Sequence, residues 1–216
     1  NPSLMHPYKQ AGLYGWGNNT YGEVGNGTTT TDESTPALII SGDRNWKKVF
    51  SGTMNAMAIK MNGTLWTWGN GVNGKLGNGA SSNQNSPVLV SGGFTDWKLG
   101  AAGSNHMSAI RENGSLWSWG GNSNGCIGNN SSSGLISTPV QTISAGTNWK
   151  EVTCGYNNFT VAIKTDNTLW AWGHNGFGEL GTNDQTHRSS PTQIGSNTTW
   201  KLVSAGFYHT AAIKTD

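Results

Sequence analysis

The side chains able to do chemistry are few and far apart. Five histidines and two cysteines lie among 216 residues of which only 11% are charged. His106 and His209 recur three residues after a glycine, Gly103 and Gly206, and Asn55 and Asn158 stand at the same distance after Gly52 and Gly155. A position that accepts His or Asn suits a hydrogen bond, whereas a zinc site needs three or four converging ligands. His174 and His187 stand in loops without a companion ligand in sequence, and His6 sits near the start of the chain. Acid–base or nucleophilic catalysis needs a nucleophile, a base and an orienting group together. Here the carboxylates are scattered, and the pair Asp32-Glu33 reads as a solvated loop. Cys154 falls where comparable positions hold Ser51, Ala102 and Ala205, as a small buried filler. Cys126 replaces Glu23, Lys75 and Glu179, which predicts partial exposure. Glycine-rich stretches at 22–25, 74–77, 125–128 and 178–181 invite a phosphate-cradle reading. They lack a following helix and a Gly-Lys-Ser/Thr ending, so they read as turns. No enzyme, metal or cofactor is expected.

Composition narrows the partners. The formal net charge is +2 and no run of Lys or Arg offers a polyanion surface, so nucleic acid is not expected. No segment reaches the ~18 consecutive apolar residues of a membrane span. Residues 1–12 read as a leader segment with neither an initiator Met nor a signal pattern, as in a mature form or a fragment. Asn-x-Ser/Thr triplets at Asn26, Asn62, Asn113, Asn158 and Asn197 are glycosylation acceptors in principle. Those at Asn62 and Asn113 read instead as Asn-Gly hairpin turns with positive φ at both residues.

The elements that must position these residues come from a repeat. Leu-aromatic-x-Trp-Gly occurs at 13–17, 65–69, 116–120 and 169–173, at spacings of 52, 51 and 53 residues. Pro36, Pro87, Pro139 and Pro191 keep the same beat, as do Trp46, Trp97, Trp149 and Trp200. The apolar runs ending at Lys60, Arg111, Lys164 and Lys214 do so too. Each unit reads as four short strands: one after the proline (37–40), one from the single tryptophan (46–50), one over 56–61 and one over 65–68. A period near fifty with four strands marks an all-β propeller blade. Four units follow, 13–64, 65–115, 116–168 and 169–216. Paired indoles such as Trp66 and Trp68 share one side of their strand and are expected to pack against the neighbouring blade.

The block at 65–79, the run Ala102-Gly103-Ser104-Asn105-His106 and the Ser86-Pro87 step resemble the regulator-of-chromosome-condensation repeat, including its alpha-tubulin-suppressor-like members. That resemblance implies a seven-bladed ring, of which four blades form an incomplete part; closure of four blades by pairing 13–16 with the last strands is the alternative. Partner blades would come from a longer parent chain or from other copies. The resemblance also implies an interaction face at the two residues after each recurring glycine: Thr53, Met54, Ser104, Asn105, Tyr156, Asn157, Phe207 and Tyr208. Secreted β-lactamase-inhibiting members capture a protein outside cells. The Asn/Ser/Thr/Gly-rich surface then suggests a binding or structural module of an exported bacterial or virion-surface protein, with a protein, carbohydrate or host-surface ligand. The alternative is nucleotide exchange on a small GTPase, disfavoured by the lack of a basic tail. The Gly-Trp-Arg-His-Thr signature of the family's ultraviolet photoreceptor is missing, so the tryptophans read as core.

Overall fold

A computed structural model describes residues 12–39, 44–143 and 146–215. Most of the leader, with His6, and residue Ile40 of an expected strand lie outside the described residues. The strands run β1 (Tyr14–Gly17), β2 (Glu33–Leu38), β3 (Trp46–Ser51), β4 (Asn55–Lys60), β5 (Leu65–Gly69), β6 (Gln84–Leu89), β7 (Trp97–Ala102) and β8 (His106–Arg111). They continue as β9 (Leu116–Gly121), β10 (Leu135–Gln141), β11 (Trp149–Cys154), β12 (Phe159–Lys164), β13 (Leu169–Gly173), β14 (Arg188–Gln193), β15 (Trp200–Ala205) and β16 (Thr210–Lys214). The architecture is all-β and wholly antiparallel, with short 3-10 turns at Val72–Gly74 and Ser123–Gly125.

The blades are cut in a different phase from the expected one. Three four-stranded sheets, β3-β4-β5-β6, β7-β8-β9-β10 and β11-β12-β13-β14, stand between two half-blades, β1-β2 and β15-β16. The proline strand is therefore the last strand of its blade rather than the first, and it includes the proline instead of following it. The reason is local: each register breaks opposite the Leu-aromatic-x-Trp-Gly strand, for example between Thr67↔Val88 and Gly69↔Gln84. Pro87 sits in that irregular stretch of an edge strand, where a missing N–H costs no ladder bond. Closure of a four-bladed ring is absent, because β1 pairs with β2 and β16 with β15.

Strands β3, β7, β11 and β15 lie side by side around the blade axis. The Thr153 hydroxyl on β11 accepts from the Ala205 N–H on β15 at 3.2 Å, and Cys154 Sγ lies 3.6 Å from the Ala101 carbonyl on β7. Small residues end these strands because they crowd toward one axis; Cys154 is buried among them, as expected. Strand β4 is buried along its whole length, and β8 and β12 along nearly all of theirs. Covered by a blade on either face, they read as continuous apolar runs instead of alternating ones.

Tryptophans join the blades. Trp68, Trp119 and Trp172 are buried, and their Nε1–H groups donate to the carbonyls of Glu23, Lys75 and Cys126 in the preceding unit at 2.9, 3.0 and 2.9 Å. Each indole lies on a loop glycine: a Cβ on Gly25, Gly77 or Gly128 would come within 2.8, 2.6 or 2.7 Å of Nε1. The glycine-rich stretches are thus seats for the next blade's indole as well as turns. In two blades the other indole of the pair packs edge-on to the tryptophan opening the blade, Trp46–Trp66 at 6.5 Å and 83° and Trp149–Trp170 at 6.1 Å and 79°, while Trp117 packs against Phe94 at 5.0 Å.

The hairpin turns also differ from expectation. Gly63 and Gly114 have φ of 76° and 79°, and Asn167 has 63°, whereas Asn62, Asn113 and Asp166 do not adopt positive φ. The first residue acts through its side chain. Asn62 Oδ1 accepts from Thr64 N and Oγ1, Asn113 Oδ1 from Ser115 N and Oγ, and Asp166 Oδ1 from Thr168 N and Oγ1. The turn closes by Gly63 N to the Lys60 carbonyl, a four-residue turn whose last residue is the left-handed glycine, rather than a two-residue loop.

Candidate functional site

The turns leaving the inner strands gather at one mouth of the arc. A shallow basin there is lined by Gly52, Thr53, Gly103, Tyr156 and Gly206, with the ends of the inner strands beneath. Backbone and side-chain bonds tie neighbouring turns together: Ser104 Oγ donates to the Tyr156 carbonyl at 2.6 Å, and Tyr156 N to the Gly206 carbonyl at 3.1 Å. Asn105 Nδ2 donates to Asn158 Oδ1 at 3.2 Å, and Lys75 Nζ to the Ser104 carbonyl at 2.9 Å. Burial holds the Lys75 ammonium below the usual lysine range, against the opposing pull of Glu23.

Of the eight expected face residues, three come together as an exposed surface. Tyr156 and Phe207 stack at 3.9 Å and 23°, and Phe207 meets Tyr208 at 4.3 Å. Phe177, from the glycine-rich loop after β13, continues the row at 4.6 Å from Tyr208. It is 65% exposed, more than any of the other three. Sequence reasoning missed Phe177; the signal was an aromatic where the second and third units have Asn73 and Asn124. Met54 is exposed on another blade, Thr53 lines the basin, and Ser104, Asn105 and Asn157 are engaged in bonds between loops.

The His/Asn position needs correction in the third unit. Asn55 pairs with Gly69 and His106 with Gly120, but Phe159, not Asn158, pairs with Gly173. The same shift shows in the turn closures, Gly52 N to the Asn55 carbonyl and Gly155 N to the Phe159 carbonyl. One extra residue lengthens this turn, and Asn158 absorbs it at φ 59°. The extension carries Tyr156 and Asn157. His106 does make the structural bond expected of it, Nε2 to Thr160 Oγ1 at 2.8 Å in the next blade. Since Thr160 Oγ1 donates onward to the Cys126 carbonyl, the network assigns the imidazole proton to Nε2.

His174 and His187 are not isolated, as the sequence had suggested. Their rings lie 4.7 Å apart, and His174 Nδ1 is 2.5 Å from Glu179 Oε1. Burial pushes the Glu179 carboxyl up, but the bonds from His174 and from the backbone N–H groups of Glu179 and Phe177 outweigh it and hold the group below its usual range. His187 Nδ1 accepts from Asn175 N at 2.9 Å, the place Asn83 Oδ1 fills for Gly71 N and Asp32 Oδ1 for Asn19 N. Its role is to fix a loop. Among the described residues no three His, Cys, Asp or Glu side chains are grouped to hold a metal ion. Cys126 is fully buried rather than partly exposed, its Sγ turned to the Gly121 carbonyl at 3.1 Å.

Four blade-length units with indoles seated on loop glycines correspond to a known repeat. The model described as the regulator of chromosome condensation (RCC1) repeat matches residues 11–59, 62–110, 113–163 and 166–213. The chain belongs to the RCC1 repeat family. Its RCC1 repeats are 31% identical over 215 residues to human "E3 ubiquitin-protein ligase HERC2", covering 94% of this chain and 4% of that protein. They are 29% identical over 204 residues to the Arabidopsis thaliana "Ultraviolet-B receptor UVR8", covering 92% and 46%. Among solved structures, human WBSCR16 superposes with a TM-score of 0.82 at 21% identity, covering 96% of this chain and 54% of that one. Prp20p from Saccharomyces cerevisiae gives 0.81 at 19%, covering 95% and 52%. The RCC1 chain thus spans about half of these solved propellers and of the photoreceptor, and a small part of the ligase. No helix among the described residues is long and apolar enough to cross a membrane.

Proposed function

We propose that this RCC1-type arc is a non-catalytic binding module that captures a protein on the aromatic row Tyr156, Phe207, Tyr208 and Phe177. One observation carries the reading: four aromatic rings in contiguous contact, 38% to 65% exposed, on turns that rigid strands hold in place. Exposed contiguous apolar surface of this kind marks interaction sites, and aromatic side chains lose little entropy when they anchor a partner. The fold relative Prp20p is described as binding Gsp1p and histones, which supports protein capture as a use of this scaffold. The low content of charged residues fits an exported or particle-surface setting. Replacing Tyr156, Phe207 and Tyr208 together by Ala is expected to leave the circular-dichroism spectrum and melting temperature near those of the parent while weakening partner capture at least tenfold. Unchanged capture would remove this face from consideration. A glycan array and a nucleotide-release assay on a panel of small GTPases separate the carbohydrate and exchange-factor readings from protein capture.

A further inference from the structure

We propose that the eight Asn-Gly steps of this chain are latent deamidation sites, which the folded state holds shut by hydrogen bonds to the glycine N–H or to the asparagine side chain. The steps begin at Asn26, Asn62, Asn70, Asn73, Asn78, Asn113, Asn124 and Asn175, and all stand between strands. Glycine makes such a step reactive, because it leaves its own nitrogen unshielded and its backbone free to turn. The inference is independent of the aromatic row.

The chemistry needs only water. Amide resonance makes the glycine nitrogen a poor nucleophile until hydroxide removes its proton. The nitrogen then attacks the asparagine Cγ: a C–N bond closes a five-membered succinimide, and the bond from Cγ to the side-chain nitrogen breaks. That nitrogen takes a proton from water and leaves as ammonia, which restores the hydroxide. Water opens the ring at either carbonyl and leaves aspartate or isoaspartate; nothing is oxidised or reduced. A bonded N–H must be freed first, as in amide hydrogen exchange, so the rate follows local opening.

Four of the glycine N–H groups close tight turns: Gly63 to the Lys60 carbonyl at 2.9 Å, Gly114 to Arg111 at 2.9 Å, Gly74 to Gly71 at 3.1 Å and Gly125 to Asn122 at 3.2 Å. Two cross to the next blade, Gly27 to the Asn85 carbonyl at 2.8 Å and Gly79 to the Ser137 carbonyl at 2.9 Å. A seventh is held by a side chain, Gly71 N donating to Asn83 Oδ1 at 3.0 Å. Gly176 is the exception: its acceptor, His174 Nδ1 at 3.3 Å, also faces Glu179 Oε1 at 2.5 Å. There the asparagine is fixed instead. Asn175 is fully buried, its Nδ2 donates to Thr182 Oγ1 and to the Asp184 and Thr186 carbonyls, and its Oδ1 accepts from Leu180 N at 3.0 Å. At two hairpin tips both reacting groups are held, since Asn62 and Asn113 also commit Oδ1 to Thr64 N and Ser115 N.

Isoaspartate adds a methylene to the main chain, and the surroundings leave no room for one. The Gly63 and Gly114 carbonyls accept from Trp97 N and Trp149 N of the next blade, each at 3.0 Å. A Cβ on Gly74 or Gly125 would already come within 2.7 or 2.4 Å of the Cα of Ser137 or Ser189. A chain that reacts while open therefore cannot regain the native packing, and time spent open sets a chemical limit on the lifetime of the fold.

Peptide mapping of the full 216-residue chain at mildly alkaline pH reads each site. In the folded protein all eight steps are expected to gain aspartate or isoaspartate at least about tenfold more slowly than in concentrated urea. Asn83 is exposed, so Asn83→Ala removes the acceptor of Gly71 without opening the core. It is expected to speed Asn70 alone, by at least about tenfold. Asn83→Asp keeps Asn70 slow, because a carboxylate accepts equally well, as Asp32 does from Asn19 N at the equivalent place. Equal rates in the folded protein and in urea, or an unchanged rate at Asn70 in folded Asn83→Ala, overturns the inference. Should Asn83→Ala unfold, every step accelerates together, and the parent protein with and without urea decides.

Discussion

His106 shows how one buried side chain sets a pH dependence. Burial lowers its pKa from 6.5 to about 4, and its Nδ1 has no partner among the described residues. Below pH 6.5 the unfolded chain takes up a proton that the folded one refuses. The stability His106 allows is therefore complete above pH 6.5 and drains away as pH falls toward 4, by up to about 3 kcal/mol. Urea titrations from pH 7 to 4 are expected to show this slope, and His106→Asn, the residue Asn55 supplies in the same seat, to flatten it; equal slopes in both proteins would refute the assignment. The thiols are governed by the same physics. Burial pushes Cys154 up to about 12 and Cys126 higher still, with a smaller contribution to Cys126 from Cys154. Since the thiolate is the reactive form, neither is expected to react with a thiol reagent at pH 8 until the protein unfolds. Release of two equivalents in the native state would contradict that.

At the level of the strand and its turn, the decisive contact is glycine against indole. Gly77 and Gly93 share φ of 68°, so alanine meets the same left-handed strain at both. They differ in surroundings: a Cβ on Gly77 would come within 2.6 Å of Trp119 Nε1, and one on Gly93 would meet nothing within 4 Å. Gly93→Ala is expected to cost about 1 kcal/mol from strain, and Gly77→Ala about 2 kcal/mol more from displacing the indole. Denaturant titration of both variants measures the difference; equal losses would mean that the indole seat contributes nothing. Turn chemistry acts alongside it. The Asn62–Thr64–Trp66 relay, in which Thr64 bonds Asn62 and Trp66 Nε1 donates to Thr64 Oγ1 at 2.9 Å, orients an indole from a hairpin two residues away.

At the scale of the molecule, buried indole and aliphatic side chains form four separate core clusters, two between whole blades and one against each half-blade. Stability of such a stack is a sum over the interfaces between neighbouring blades. The aromatic row lies on the turns between strands.

The repeat period, the strand content and the tryptophan core were legible in the sequence because each depends on residues close together along the chain. The blade phase was not. A periodic sequence can be cut at any strand, and only the pairing of Trp66 with Leu89, rather than of the proline strand with Trp46, says where a blade begins. The same limit hid the one-residue extension before Phe159, the burial of Cys126 beneath the next blade, and the arrival of Phe177 beside Tyr208. Those facts depend on how segments from about fourteen to some forty residues apart are brought together, which strand pairing and packing between blades decide and local residue preference does not.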